Sequence, residues 1–258
     1  MIRFLIKKSF FDTWDNLFSL ILINLGFIFC LGITALIAFT TRASPGAVTI
    51  LLTIPGIFLS HIYAGTISIL LHKFSEFKSF SFALVKNGFL KTWKASLILA
   101  SINSLMIIIF TFGFPFYLSM GNIIGIVGAG IIFWFSLFWF LSCQYFYPVL
   151  FKLEGGIYLS LKKSILLTID NPLFSIFIFL HSAVVLMLSM ITVLIMPGLS
   201  AILLLHQDAV KLRLYKYDWL EKNPGENRNK IPWDLLIQDD RDQLGTRSLK
   251  GMIFPWKN

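Results

Sequence analysis

The chain has 258 residues, of which 57% are apolar and only 14% are charged, and its formal net charge is +9. Soluble domains have about 45–50% apolar and about 25% charged residues, so this composition excludes an ordinary water-soluble enzyme, a disordered tail and a disulfide scaffold. The two cysteines, Cys30 and Cys143, lie inside apolar runs and are interpreted as small buried side chains. The composition therefore predicts an all-α integral membrane protein.

Six transmembrane segments are predicted, since a span needs about 20 mostly apolar residues. The last apolar block, 172–210, would measure about 58 Å as one helix, whereas the hydrocarbon core is about 30 Å thick. The Pro197-Gly198 turn signal divides it into two segments. The predicted spans are Leu17 to Phe39, Val48 to Leu71, Ser96 to Tyr117, Ile123 to Leu150, Leu173 to Ile195, and a sixth that begins at Leu199.

Amphipathic stretches precede or connect these spans. Met1 to Trp14 and Phe74 to Trp93 mix aromatic residues with lysines, which is typical of helices that lie in the plane of the lipid headgroups. We therefore expect the lipid bilayer to be a direct partner. We expect no cleavable signal peptide, because the first apolar run exceeds the roughly 7–15 residues of a signal core.

The basic residues predict the orientation. With the N-terminus in the cytoplasm, 21 of the 22 lysines and arginines fall on the cytoplasmic side, and Arg42 alone falls outside. Five spans would place the ten basic residues of 211–257 outside, so six is the better count. Both termini are then cytoplasmic, in a bacterial inner membrane. The positive charge is interpreted as an orientation signal, with no nucleic acid as partner.

An internal repeat suggests how the spans are organised. Similar Lys- and Thr-containing segments precede the first, third and fifth spans, with Thr13, Thr92 and Thr168 spaced 79 and 76 residues apart. A fixed period marks a repeated structural unit. We predict three parallel helical-hairpin repeats, approximately 1–74, 75–152 and 153–216, which form a six-span domain over 1–216. Side-by-side packing is the favoured interpretation, although parallel repeats also occur in transporters.

Asp208 and Lys211 are the most informative polar residues, since an ionisable group inside a span is costly and is a functional hypothesis by default. Counting from Leu199 places Asp208 about 13 Å deep. One interpretation is an Asp208–Lys211 ion pair that faces the bundle interior. Another is that the Pro197-Gly198 turn is sunk, which moves Asp208 toward the headgroups. The functional alternative is a proton or cation site.

Other polar residues in the predicted spans are candidates for the same site or for hydrogen bonds between helices. Histidine can relay protons or bind metal near neutral pH, but no two histidines have the spacing of a metal motif within one helix. Hydrogen bonding between helices is therefore the favoured role for the whole set. The residues are His61, His181, His206, Asn24, Asn103 and Gln144.

The sequence contains no catalytic, phosphate-binding or metal motif, so we expect neither an enzyme nor a cofactor. Asp239, Asp240 and Asp242 lie in a mixed-charge run that is interpreted as solvated. Residues 217–258 form a cytoplasmic tail that is too short for its own core. We expect the tail, including the apolar end 252–256, to pack on the cytoplasmic helices or the lipid surface, with a docking peptide for a partner as the alternative.

The N-terminal run 10–18 followed by Asn24, the Lys162-Lys163-Ser164 helix, the Asn171-Pro172 pair and the Pro197-Gly198-Leu199 turn are similar to the YesL-like bacterial membrane proteins. The resemblance covers roughly residues 3–216. It implies a six-span protein of unestablished biochemical role, associated with carbohydrate uptake systems, and it supplies no catalytic residues. The first hypothesis is a non-catalytic accessory of a transport system, with a transporter subunit or other membrane protein as partner. The alternative is a small-solute or ion permease that uses Asp208.

Overall fold

The computed structural model describes residues 1–43, 46–79, 81–153, 155–228 and 230–247. Over these ranges the chain is helical and contains no strand, so the all-α prediction is confirmed for the described residues. The helices are α1 (Ile2–Asp15), α2 (Leu17–Thr40), α3 (Gly46–Ser75), α4 (Phe82–Ile108), α5 (Phe114–Ser119), α6 (Ile123–Cys143), α7 (Phe146–Lys152), α8 (Gly156–Asp170), α9 (Pro172–Ile191), α10 (Gly198–Lys222), α11 (Trp233–Leu236) and α12 (Gln238–Leu244).

Five stretches of helix in the described residues are long and apolar enough to cross a membrane, with mean hydropathies from 1.6 to 2.6. They coincide with the first five predicted segments. Helix α10 is not among them, because charged residues interrupt its apolar run from Asp208 onward. The five stretches are Leu17–Thr40, Val48–Ser75, Ala83–Ser119, Ile123–Lys152 and Pro172–Ile191.

The separate interfacial helix expected over Phe74 to Trp93 is not formed. Helix α3 ends at Ser75, and α4 runs without a break from Phe82 into the third apolar stretch. Its first turns pack on α3, where a Cβ on Gly88 would lie only 2.3 Å from the carbonyl oxygen of Thr66. Close packing on α3 therefore keeps these residues in line with the span.

A π-helical turn, Ile109–Gly113, joins α4 to α5. Pro115 lies two residues beyond it and has no backbone N–H to donate four residues back, to the carbonyl of Thr111. A widened turn is a common response to such an interruption of the helical ladder. The third apolar stretch therefore continues as helix up to Ser119 despite its proline.

The turn between α9 and α10 lies beside Asn24 of α2. Asn24 is seven residues, or about 10 Å, from the N-terminal end of that helix. The Nδ2 of Asn24 donates to the carbonyls of Ile195 (3.0 Å) and Pro197 (2.9 Å), and its Oδ1 accepts from the backbone N–H of Ser200 (2.9 Å). Gly198, with φ of +73°, is needed here, because a Cβ would lie 2.0 Å from Asn24 Nδ2. The far end of α2 is about 24 Å further on, so the turn reaches only partway along α2.

The described part of the tail folds back onto the other helices. Ile237 and Leu244 are buried in a cluster with Leu5 of α1, Ile178 of α9 and Leu205 of α10. This is the expected packing of the tail on neighbouring helices. The predicted apolar end of the tail, 252–256, lies outside the described residues.

Candidate functional site

The predicted polar residues do not form one site. Asp208 and Lys211 belong to a cluster of buried charges, whereas four others line a separate cavity, namely His61, Asn103, Gln144 and His206. Asn24 binds the α9–α10 turn. His181 is half-buried and stacks on Phe177, with ring centroids 6.0 Å apart. The sequence therefore predicts these polar residues, and the fold places them in separate surroundings.

The charge cluster consists of Lys8, Asp12, Glu76, Lys152, Asp208, Lys211 and Asp240. At one end, Lys8 Nζ lies 2.5 Å from Asp12 Oδ2 and 3.3 Å from Asp208 Oδ1. Lys8 and Asp208 are completely buried. Lys8 also donates to the carbonyl oxygen of Ser75 at 3.0 Å, at the C-terminal end of α3, where the helix dipole favours a cation.

Lys211 joins the other end of the cluster. Its Nζ lies 3.1 Å from Glu76 Oε2 and 2.9 Å from Asp240 Oδ1, and it too donates to the carbonyl of Ser75 (3.1 Å). The predicted ion pair between Asp208 and Lys211 is therefore wrong. Asp208 pairs with Lys8 of α1, whereas Lys211 lies at the end of α3. Asp240 is 3% exposed, so its predicted solvated position is also wrong.

The charges of the cluster balance if one carboxyl group holds a proton, since four carboxyl groups face three lysines. Burial raises the pKa of Asp12 to about 8, the nearby Asp208 carboxylate adds to the rise, and Lys8 opposes it. Burial alone would also raise the pKa of Glu76, but Lys152 and Lys211 outweigh it and hold that pKa at about 2. Asp12 is therefore the protonated member at neutral pH, and the cluster is then neutral.

Most of this cluster is not predicted by the sequence. Among its carboxylates, Asp208 alone is singled out by its position in a predicted span, and Asp240 is predicted to be solvated. One local signal was available, because Lys8 and Asp12 are four residues apart on an amphipathic helix and so share a face. Nothing in the sequence indicates that this face packs on α10, 200 residues later.

A cavity of about 570 Å³ lies between α2, α3, α4, α6, α7, α9 and α10. This volume is within the range of about 300–1,000 Å³ that is typical of small-molecule sites. Most of the wall is apolar, and the polar side chains on it come from six helices and the α6–α7 junction. They are Ser60, His61, Ser68, Asn103, Cys143, Gln144, Tyr147, Ser182, His206 and Gln207.

The His61–Asn103 pair is internally satisfied. Asn103 Nδ2 lies 2.8 Å from His61 Nε2, Asn103 Oδ1 accepts from Trp139 Nε1 at 2.7 Å, and His61 Nδ1 lies 2.9 Å from the carbonyl of Ile57. His206 Nε2 similarly lies 3.0 Å from Ser182 Oγ. The contacts of Asn103 join α3, α4 and α6, and the contact of His206 joins α9 to α10. They are the hydrogen bonds between helices that were favoured for these residues.

Two glutamines on the cavity wall are only half satisfied. Gln144 Nε2 donates to the carbonyl of Ser175 (3.0 Å) and Gln207 Nε2 to that of Ser68 (3.4 Å). Among the described residues, neither Oε1 has a hydrogen-bond partner, although Gln144 is 8% and Gln207 1% exposed. Gln207 was not a predicted site residue. A buried unpaired acceptor is costly, and a native protein usually has a reason for retaining it.

In the described ranges, no three His, Cys, Asp or Glu side chains are grouped so that they could hold a metal ion. Cys30 and Cys143 are free thiols, and Cys143 lies on the cavity wall. The two features differ in charge: the charges of the cluster compensate one another, and the cavity is lined by uncharged described residues. Comparison with protein-family models, with curated proteins and with solved structures gives no match.

Proposed function

We propose that the protein is a six-segment integral protein of a bacterial inner membrane, with both termini in the cytoplasm. The three hairpins are α2–α3, α4/α5–α6 and α9–α10. The contacts of Asp208 and Lys211 support this arrangement, because they bring the descending end of α10 to the C-terminal end of α3. The α9–α10 turn is then the sunken one, with its backbone polar groups satisfied by Asn24, as a low-dielectric surrounding requires.

We further propose a non-catalytic accessory role in a transport system, which the YesL-like resemblance would make a carbohydrate uptake system. The observation that carries this proposal is the contrast between two sets of cations, all of which the predicted orientation assigns to the cytoplasmic side. The lysines of the charge cluster are buried and neutralised. A second set is exposed and, among the described residues, makes no salt bridge, namely Arg3, Lys78, Lys86, Lys91, Lys94 and Lys162.

Exposed unpaired cations on a rigid support are suited to an acidic surface of a partner subunit, where charge complementarity gives specificity and fast association. Lys86, Lys91 and Lys94 are all on the first turns of α4, which packing on α3 holds in place. We therefore assign the first turns of α4 as the centre of the partner-binding surface.

The test is gentle purification from native membranes followed by mass spectrometry. We expect a stoichiometric transporter subunit with the wild type and its loss in the triple variant Lys86→Glu, Lys91→Glu, Lys94→Glu. Arg42→Glu is the matched control, because it reverses the one cation expected on the opposite side. A wild-type protein that purifies alone, or a partner retained by the triple variant, contradicts the accessory role.

A small-solute permease is the second candidate, since the cavity lies among the apolar helices. Asp208 does not line this cavity, and its charge is compensated by Lys8. A permease that uses Asp208 is therefore the weaker proposal. In proteoliposomes we expect Asp208→Asn to leave any solute or proton flux unchanged. A flux of the wild type that Asp208→Asn abolishes would make the permease the stronger proposal.

A further inference from the structure

We propose that the cavity binds a single-chain, uncharged amphiphile that carries hydroxyl groups at one end, of the monoacylglycerol type. This ligand site goes beyond the accessory role and does not depend on it. Three features of the cavity wall specify the ligand, and each comes from a different set of residues.

The first feature is the apolar majority of the wall. Phe27 and Leu31 of α2, Phe179 of α9 and Leu203 of α10 face the same space. An alkyl chain buried here leaves the lipid phase without losing favourable contacts, since packed interiors give it close van der Waals neighbours. The volume is sufficient for one small ligand.

The second feature is the absence of formal charge from the wall. No Lys, Arg, Asp or Glu lines the cavity in the described part of the chain. A charged headgroup would lose its hydration there without gaining an ion pair, which is strongly unfavourable. The charge cluster gives no help, because its lysines are already neutralised by their own carboxylates. The ligand is therefore uncharged.

The third feature is the pair of unpartnered acceptors, Gln144 Oε1 and Gln207 Oε1. Each glutamine uses its amide N–H on a neighbouring helix, so what each still lacks is a donor. Both glutamines lie on the cavity wall, so a ligand bound in the cavity is placed to supply that donor. Hydroxyl groups supply that donor without adding charge. Ester or ether oxygens alone do not.

The hydrogen-bond partners of the two glutamines orient the ligand. Gln207 is the lining residue of α10 nearest the charge cluster, and it bonds to Ser68, the lining residue nearest the end of α3. Gln144 bonds to Ser175, one turn before the first lining residue of α9. The hydroxyl end of the ligand therefore points toward the charge cluster, and the chain extends toward Leu31 and the α9–α10 turn.

The experiment uses the full chain in phosphatidylcholine nanodiscs and a monoacylglycerol with a photoreactive diazirine on its acyl chain. We expect labelling of cavity residues, mapped by mass spectrometry. Unlabelled monoacylglycerol should compete, and the methyl ester of the same fatty acid, which has no donor, should compete at least tenfold less well. Equal competition by the ester would overturn the assignment of a hydroxylated ligand.

Two variants test the site itself. Ala183→Phe places a ring in the cavity and should abolish the specific labelling, whereas Ala35→Phe on the exposed face of α2 should not. Gln144→Met and Gln207→Met keep the length of the side chain but remove the acceptor, and each should weaken competition by monoacylglycerol about fivefold. Uniform labelling of lipid-facing residues that Ala183→Phe leaves unchanged overturns the proposal.

Discussion

Replacement of Asp12 by asparagine is expected to remove a pH dependence of stability that the charge cluster imposes. The folded protein holds a proton on Asp12 up to a pKa of about 8, whereas an unfolded aspartate has a pKa of about 3.9. The folded state therefore binds more protons between these values. By linkage, this stabilising contribution is complete below pH 4 and decreases as the pH rises toward 8. Asparagine resembles the protonated form and cannot lose the proton.

The magnitude follows from the two pKa values. Between pH 6 and pH 8 the unfolded aspartate gains about 1.4 kcal/mol of ionisation free energy per pH unit, whereas the folded one, which is half ionised only at about pH 8, gains little. The wild type should thus lose on the order of 2 kcal/mol of unfolding free energy over this interval through Asp12. Because Asp12 is 2% exposed, solvent screening does not reduce this figure substantially.

The assay is denaturant unfolding of the purified protein in an uncharged detergent at several pH values, followed by tryptophan fluorescence. The quantity compared is the slope of unfolding free energy against pH, wild type minus Asp12→Asn, so that contributions from other groups cancel. Asp15→Asn is the control on the same helix, since Asp15 is about two-fifths exposed and pairs with Arg247. Equal slopes for wild type and Asp12→Asn would refute the protonated Asp12.

Two further predictions concern stability at a single pH. Lys211→Met should destabilise by about 3–5 kcal/mol in the same denaturant assay, because it leaves the buried Asp240 carboxylate without its cation, although Glu76 keeps Lys152. Lys162→Met at an exposed position should cost less than about 0.5 kcal/mol, and similar losses would contradict the buried network. Asn24→Ala should cost about 2–4 kcal/mol, since three backbone groups of the α9–α10 turn lose their partner, and it should increase proteolysis near residue 195. An unchanged cleavage pattern would show that Asn24 does not hold the turn.

The predicted spans and the observed helices agree because both depend on local properties of the chain. A run of apolar residues long enough to cross a bilayer is visible without any knowledge of its neighbours, and α2, α3, α6 and α9 begin within two residues of the predicted positions. The Pro197-Gly198 pair likewise predicted the α9–α10 turn, since proline and glycine restrict the backbone wherever they occur. The sequence predicts a third span that begins at Ser96, whereas α4 already begins at Phe82, because its amphipathic first turns pack on α3.

Composition and apolar periodicity alone determined an all-helical chain with segments long and apolar enough to span a membrane, and the positions of some of its buried polar residues, such as Asp208 and Asn24. Only the tertiary structure decided the partners of those residues. Asp208 could be expected to need a cation, but the choice of Lys8 over Lys211 depends on which helix faces it. The same holds for Gln144 and Gln207, which line one cavity only because α6, α9 and α10 meet there. Helix formation is encoded within a few turns of sequence, whereas charge compensation and cavities arise between helices that are distant in the chain.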